Sequence, residues 1–278
     1  MSDTKKYEDM TPEERKKYYE DLDNRMQTLG VEARDDVFAS PDDLIGYLKV
    51  QGRFDRISVN NALLIYRQKL DATDVRSAKA WKDDNVYVKK GADGILQVKR
   101  EQYPLKNGDK IETRYRYVTY KAFDISQTNC QSIKEKAPDI ELMYRVFDEM
   151  ESERFETEPT ERDTTGKNLS EAILMHLYTL LLETETPHSD LVAYCATISI
   201  SEKLGIEVSN KITENLVNVL AQTTEIADSI TFKTIVLETA RKEGRDFLAM
   251  FRPRINKASG SSEKEQDKAD ETTDDSEE

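Results

Sequence analysis

The sequence predicts an α+β protein: N-terminal helices with a small, mainly antiparallel sheet, then a mostly helical second half and a disordered acidic tail. Three observations predict it. Apolar residues recur at helical spacing before residue 70 and again after Pro138. Between Asn85 and Phe123 the period changes to two, around Gly-containing turn signals. From Ala258 to Glu278 there is no aromatic or branched aliphatic residue, and nine acids face two lysines. Such a segment buries too little apolar area to offset the entropy of ordering it.

The elements follow in order. Thr11-Pro12-Glu13-Glu14 supplies an N-cap, Pro at the first helical position and acids in the first turn, so a helix is expected from there to near Gly30. Ser40-Pro41-Asp42-Asp43 starts a second helix, which carries Leu44, Ile45, Tyr47, Leu48 and Val50 on one face. A third runs from Ser58 to Gln68. Val86 and Val88, then Ile95, Gln97 and Lys99, alternate around Lys90-Gly91-Ala92-Asp93-Gly94, which predicts strand, turn, strand. Asn107-Gly108-Asp109 is a hairpin signal, followed by the alternating strand Arg114 to Tyr120. Ile140, Leu142, Met143, Val146, Phe147 and Met150 fit one helix, with an acidic, Thr-rich loop expected over 151–167. Leu169 to Leu182 and Leu191 to Leu204 are apolar helices, the latter ended by Gly205, and two more are expected at about 210–222 and 229–250.

A length of 278 residues suits one large domain or two small ones. Eight Phe and thirteen Tyr are enough for a core, and no apolar run approaches the roughly 20 residues of a membrane span. The first residues are charged, with no apolar leader segment, and two cysteines are too few for a disulfide framework, so a cytoplasmic protein is expected. The net charge of −14 is unevenly spread. Residues 51–121 hold sixteen Lys/Arg and nine Asp/Glu, a net +7, while the remainder carries −21. A local basic patch captures phosphate even in an acidic chain, although a charge run by itself also fits a solvated face that binds nothing.

Proteins that bind single strands combine cationic grooves with aromatic faces on which bases stack. The strand after the hairpin alternates these types, with Arg114 and Arg116 on one face and Tyr115 and Tyr117 on the other. Lys89-Lys90-Gly91 offers two charges beside a Gly that lets phosphate approach the backbone. Asn60 and Asn61 have hydrogen-bonding groups for phosphate or base edges. The cations Arg53, Arg56, Lys82, Lys99, Arg100 and Lys121 complete the candidate site. Structural readings stand beside these: half-buried sheet positions for Tyr115 and Tyr117, core positions for Phe54, Leu63, Leu64 and Trp81, and a helix cap for Asn60.

Three blocks carry a family resemblance: Gly52-Arg53-Phe54-Asp55-Arg56 through Ile65; Trp81 through Val88-Lys89-Lys90-Gly91 to Ile95; and Val118 through Phe123-Asp124-Ile125-Ser126-Gln127-Thr128. Together they resemble the N-terminal single-stranded-DNA-binding domain of ArdC-type antirestriction proteins, most of all the LtrC-like versions of conjugative elements. The resemblance covers roughly residues 35 to 130. It implies a helical extension at 1–34, an ArdC-like domain at 35–130, a helical, degenerate zincin-like domain at 131–257 and the tail at 258–278.

In that family a zincin-like peptidase commonly follows, with two His one turn apart on Zn²⁺ and a Glu that activates water. Here the corresponding helix places Leu177 at the Glu position and Leu180 at the second His when His176 is aligned with the first. A His176/His188/Asp190 set is the one alternative on paper. The expectation is therefore a pseudoenzyme half with no metal or other cofactor, kept for packing or protein partners. The whole reads as a non-enzymatic single-stranded-DNA-binding protein of a mobile element or phage that protects transferred DNA from restriction. Two rivals stand: a divergent zinc metallopeptidase, and an acidic DNA mimic that occupies restriction enzymes.

Overall fold

The structure, a computed structural model, describes residues 10–107, 110–130, 139–156, 169–182, 188–223 and 229–260. Along the chain run α1 (Pro12–Val37), α2 (Pro41–Arg53), α3 (Val59–Gln68), β1 (Val75–Ser77), α4 (Ala78–Asp83), β2 (Ile95–Asn107) and β3 (Lys110–Asp124). Then follow α5 (Ile140–Phe155), α6 (Leu169–Leu181), α7 (Ser189–Leu204), α8 (Asn210–Gln222) and α9 (Ile230–Ser259). The protein is α+β, as its sequence predicts, with helices first, a small antiparallel sheet, and helices throughout the described second half. The expected disordered tail falls almost wholly on residues 261–278, outside the described residues. No described helix is long and apolar enough to cross a membrane.

Contacts divide the chain into two compact units. The first contains α1 up to Ala33 and the chain from Leu63 through the sheet, and the second contains Arg34–Ala62 and the helices from α5 onward.

In the first unit the sheet order is β1-β3-β2. β1 covers only the base of β3, from Val75↔Asp124 to Ser77↔Ala122. β2 pairs with β3 from Ile95↔Ala122 to Asn107↔Lys110, so the predicted hairpin forms around residues 108–109, which lie outside the described residues. The strand expected at Val86–Val88 is not part of this sheet, and Val88 makes a single bridge to Thr128. β3 already satisfies one edge of β2, and the Gln68 side chain bonds both the N–H and the carbonyl of Leu96. Residues 89–92 instead close a turn, with the Ala92 N–H donating to the Lys89 carbonyl at 3.1 Å. Gly91 sits in it at φ 82°, where a side chain would strain the backbone. Leu63, Leu64, Ile65, Trp81, Ile95 and Leu96 are buried, as core positions should be.

The second unit centres on α7, which is buried without interruption from Leu191 to Ser201. A helix apolar on all sides needs neighbours all round, and α2, α6, α8 and α9 supply them. At the α2–α7 crossing a Cβ on Gly52 would lie 2.1 Å from the Ser199 carbonyl oxygen, so glycine sets the close approach. Phe147 of α5 stacks on Phe251 and Phe247 of α9 at centroid distances of 4.7 and 5.7 Å. α9 continues past its expected end, through Pro253 to Ser259. Likewise α1 passes through Gly30, because buried Ala33 and Val37 outweigh the roughly 1 kcal/mol that a mid-helix Gly costs. α5 extends to Phe155, into the segment expected as a loop, and stops where Glu156 turns left-handed at φ 51°.

Candidate nucleic-acid interface

Beyond the reach of β1, β2 and β3 continue as a two-stranded ribbon. Paired residues of an antiparallel ribbon share a face, so the register sorts its side chains. One face carries Arg100 opposite Tyr117 and Gln102 opposite Tyr115. The other carries Lys99 opposite Val118, Glu101 opposite Arg116 and Tyr103 opposite Arg114. Tyr115 and Tyr117 are thus on the face away from Arg114 and Arg116, and they are exposed, at 48% and 79%. Tyr117 is thus not a half-buried sheet position, whereas Tyr115, with Arg100 over its ring, is about half covered.

The two faces differ in how their charges are arranged. On the second, Glu101 holds Lys99 at 2.7 Å and Arg116 at 3.3 Å, and Arg114 pairs with Glu112 at 3.0 Å. The Lys99 hydrogen bond, with Arg116 beside it, keeps the Glu101 carboxyl below its ordinary range. On the first face the Arg100 guanidinium lies 3.8 Å from the centre of the Tyr115 ring, a cation–π contact, and leaves the Tyr117 ring open. This face can stack a base on Tyr117 while presenting positive charge beside it.

The other candidates separate. Lys89 is fixed to the end of β3, its Nζ donating to the Ser126 carbonyl at 2.9 Å, whereas Lys90 beside it is exposed at the turn. Lys121 pairs with Asp93 at 3.4 Å, and Lys82 is exposed on α4. Arg53, Arg56, Asn60 and Asn61 belong to the second unit. There Arg53 pairs with Glu202 at 2.8 Å, and the Asn60 side-chain oxygen accepts from Arg34 at 2.7 Å. Asn60 does not cap α3: the Asn61 N–H donates to the Ser58 hydroxyl, so Ser58 takes that place.

The Phe123–Thr128 block has a structural role. Asp124 accepts from the N–H groups of Thr73, Asp74 and Ser126, and the Gln127 side chain closes a capping box with the Asp124 N–H. Burial pushes the Asp124 carboxyl up, but these hydrogen bonds outweigh it and hold it below the ordinary range. The Gln127 amide also donates to the Asp93 carbonyl at 2.6 Å, and Trp81 Nε1 to that of Phe123 at 2.8 Å. Two of the three sequence blocks therefore meet as one latch that anchors the base of the ribbon.

No protein-family model and no curated protein matches the chain. Among solved structures, the metal-free crystal structure of the antirestriction protein ArdC from plasmid R388 is similar over 69% of this chain and 85% of that one. The TM-score is 0.37 and the identity 9%. At those values the likeness decides nothing about site or activity.

In the second unit, His176 of α6 is buried against α5: its Nδ1 bonds Glu151, its Nε2 lies 3.8 Å from Asp148, and the Tyr144 ring meets it edge-on. His188 sits edge-on to Phe232, and Asp190 accepts from the Tyr178 hydroxyl at 2.6 Å. Burial, with Asp190 next, pushes the Tyr178 hydroxyl pKa up. Among the described residues, no three His, Cys, Asp or Glu side chains are grouped as a metal ion requires, and His176, His188 and Asp190 form no such set. Cys195 lies in the core of α7, where burial pushes its thiol up to about 12, far from the range of a nucleophile.

Proposed function

We propose that this protein binds single-stranded DNA without catalysing a reaction on it, and so shields DNA of a mobile element or phage from restriction during transfer. The observation that carries the binding is the exposed ribbon face of Arg100, Tyr115 and Tyr117, which combines positive charge with an open aromatic ring. A single strand offers unstacked bases to such a ring, and a duplex does not. Exposed Lys90 and Lys82 add phosphate contacts, and the surface ion pairs of Lys99, Arg114 and Arg116 are weak enough to be exchanged for phosphate. The antirestriction role rests on the three sequence blocks and their order. In this reading the second unit is a pseudoenzyme domain.

A salt titration with single- and double-stranded oligonucleotides tests it. Single strands should bind with little sequence preference, and log Kd should change with log salt by about 0.7 per phosphate contacted. Lys90→Ala should flatten that slope. No single-strand binding at low salt sinks the proposal. One tightly held zinc per chain, lost in His176→Ala, would restore the metallopeptidase reading.

A further inference from the structure

In the first unit, the segment that leads from α4 to the Gly91 turn is held along its length. The Val86 N–H donates to the Trp81 carbonyl at 2.8 Å. Asn129 holds Tyr87 twice: its side-chain oxygen accepts from the Tyr87 N–H at 2.8 Å, and its own N–H donates to the Tyr87 carbonyl at 3.0 Å. Val88 bridges Thr128, and the Lys89 N–H donates to the Gln127 carbonyl at 2.8 Å. The segment is thus tied to the latch that anchors the base of the ribbon.

Chain paired in this way is extended and alternates its side chains between two sides. Val86 and Val88 are half-buried, so the side shared by Tyr87 and Lys89 faces solvent, where polar residues are the rule. Tyr87 breaks that rule. It is 55% exposed, and its ring stacks on no aromatic and meets no cation among the described residues. On the same side, the Lys89 ammonium spends one of its three donors on the Ser126 carbonyl, and Lys90 is exposed at the turn. Of the acids that flank the segment in sequence, Asp84 is held by Arg76 at 2.8 Å and Asp93 by Lys121, while Asp83 is exposed beside Lys82.

We propose that Tyr87 is a second base-stacking residue for single-stranded DNA, with Lys89 and Lys90 holding the phosphates beside it. The proposal rests on the DNA-binding reading above and extends the contact from the ribbon face of Tyr117 to the base of the ribbon. A ring on a fixed backbone has little freedom to lose when a base stacks on it. Asn129 adds to the fit: its oxygen is committed to Tyr87, so its amide nitrogen is the group that donates to a base edge or a phosphate. From Tyr117 to the end of β3 the strand rises about 20 Å, so the two rings are separate stacking points.

The test is fluorescence anisotropy of a labelled single-stranded oligonucleotide on the full chain. Tyr87→Ala should weaken binding about 5- to 150-fold, the loss of one base–aromatic stack, and leave the log-log salt slope unchanged. Tyr87→Phe keeps the ring and should bind as the wild type does. In Tyr87→Ala with Tyr117→Ala the two losses should multiply, because distant sites act independently. Melting temperatures show whether each variant is folded. An oligonucleotide carrying iodouracil adds a readout on the unaltered chain: irradiation should cross-link it to Tyr87 as well as Tyr117, located by mass spectrometry. A folded Tyr87→Ala that keeps the wild-type Kd overturns the proposal, even while Tyr117→Ala weakens binding. Cross-linking confined to Tyr117 overturns it too, whatever the fate of the variants. Wild-type protein that binds no single strand removes the DNA-binding reading and this contact with it.

Discussion

Among the large apolar side chains of the described residues, Tyr117 is the most exposed, and no packing role accounts for its ring. Base–aromatic stacking contributes roughly 1–3 kcal/mol per base, so Tyr117→Ala should weaken single-strand binding about 5- to 150-fold and leave the salt slope and the melting temperature unchanged. Tyr115 plays a different part, because its ring already carries Arg100. Tyr115→Phe keeps that contact and should bind normally, which direct binding of both variants would check. Asp124 is the contrasting residue. It serves the fold, and Asp124→Ala leaves the N–H groups of Thr73, Asp74 and Ser126 without their acceptor. A loss of about 2–3 kcal/mol is expected in denaturant unfolding, with DNA binding retained by the molecules that stay folded.

At the scale of elements, the α2–α7 crossing is the contact most sensitive to one methyl group. Gly52→Ala places a Cβ against backbone, which cannot swing aside, so a destabilisation of about 1–3 kcal/mol should appear in denaturant titration. The Asp55 carboxylate gives the same unit a pH dependence. Its folded-state pKa is depressed, so its contribution is present above the ordinary Asp pKa of about 3.9 and is lost as pH falls through the lower folded value. Urea midpoints should therefore fall below about pH 4 in the wild type, and less steeply in Asp55→Asn.

Caps and periodicity made most helices legible in the sequence. Ser40 does cap α2 and Gly205 does end α7, while the caps of α5 and α8, Asp139 and Ser209, are found only in the structure. One boundary was misjudged where long-range packing wins over a local signal: Gly30 sits inside a helix that buried Ala33 and Val37 hold together. In the candidate site, the alternation of Arg114 to Tyr117 was readable because a strand has a period of two. The neutralising role of Glu101 was not, because it depends on register with a second strand.

For the whole molecule, the balance of charge matters more than its total. The 51–121 stretch carries +7 inside a chain of −14, and residues 258–278 carry −7. A tethered acidic segment competes with a weakly bound polyanion at an effective concentration of about millimolar, through charge alone. Deleting residues 261–278 leaves α9 intact to its Gly260 cap and removes nine acids and two lysines. Single-strand affinity should then rise, by more at low salt than at high salt, because screening weakens the competitor and the ligand alike. The truncated chain should also melt at the wild-type temperature, since the removed segment has no aromatic or branched aliphatic residue to bury. Anisotropy titrations of both chains at low and high salt check this, and equal affinities at low ionic strength would leave the tail with no part in binding.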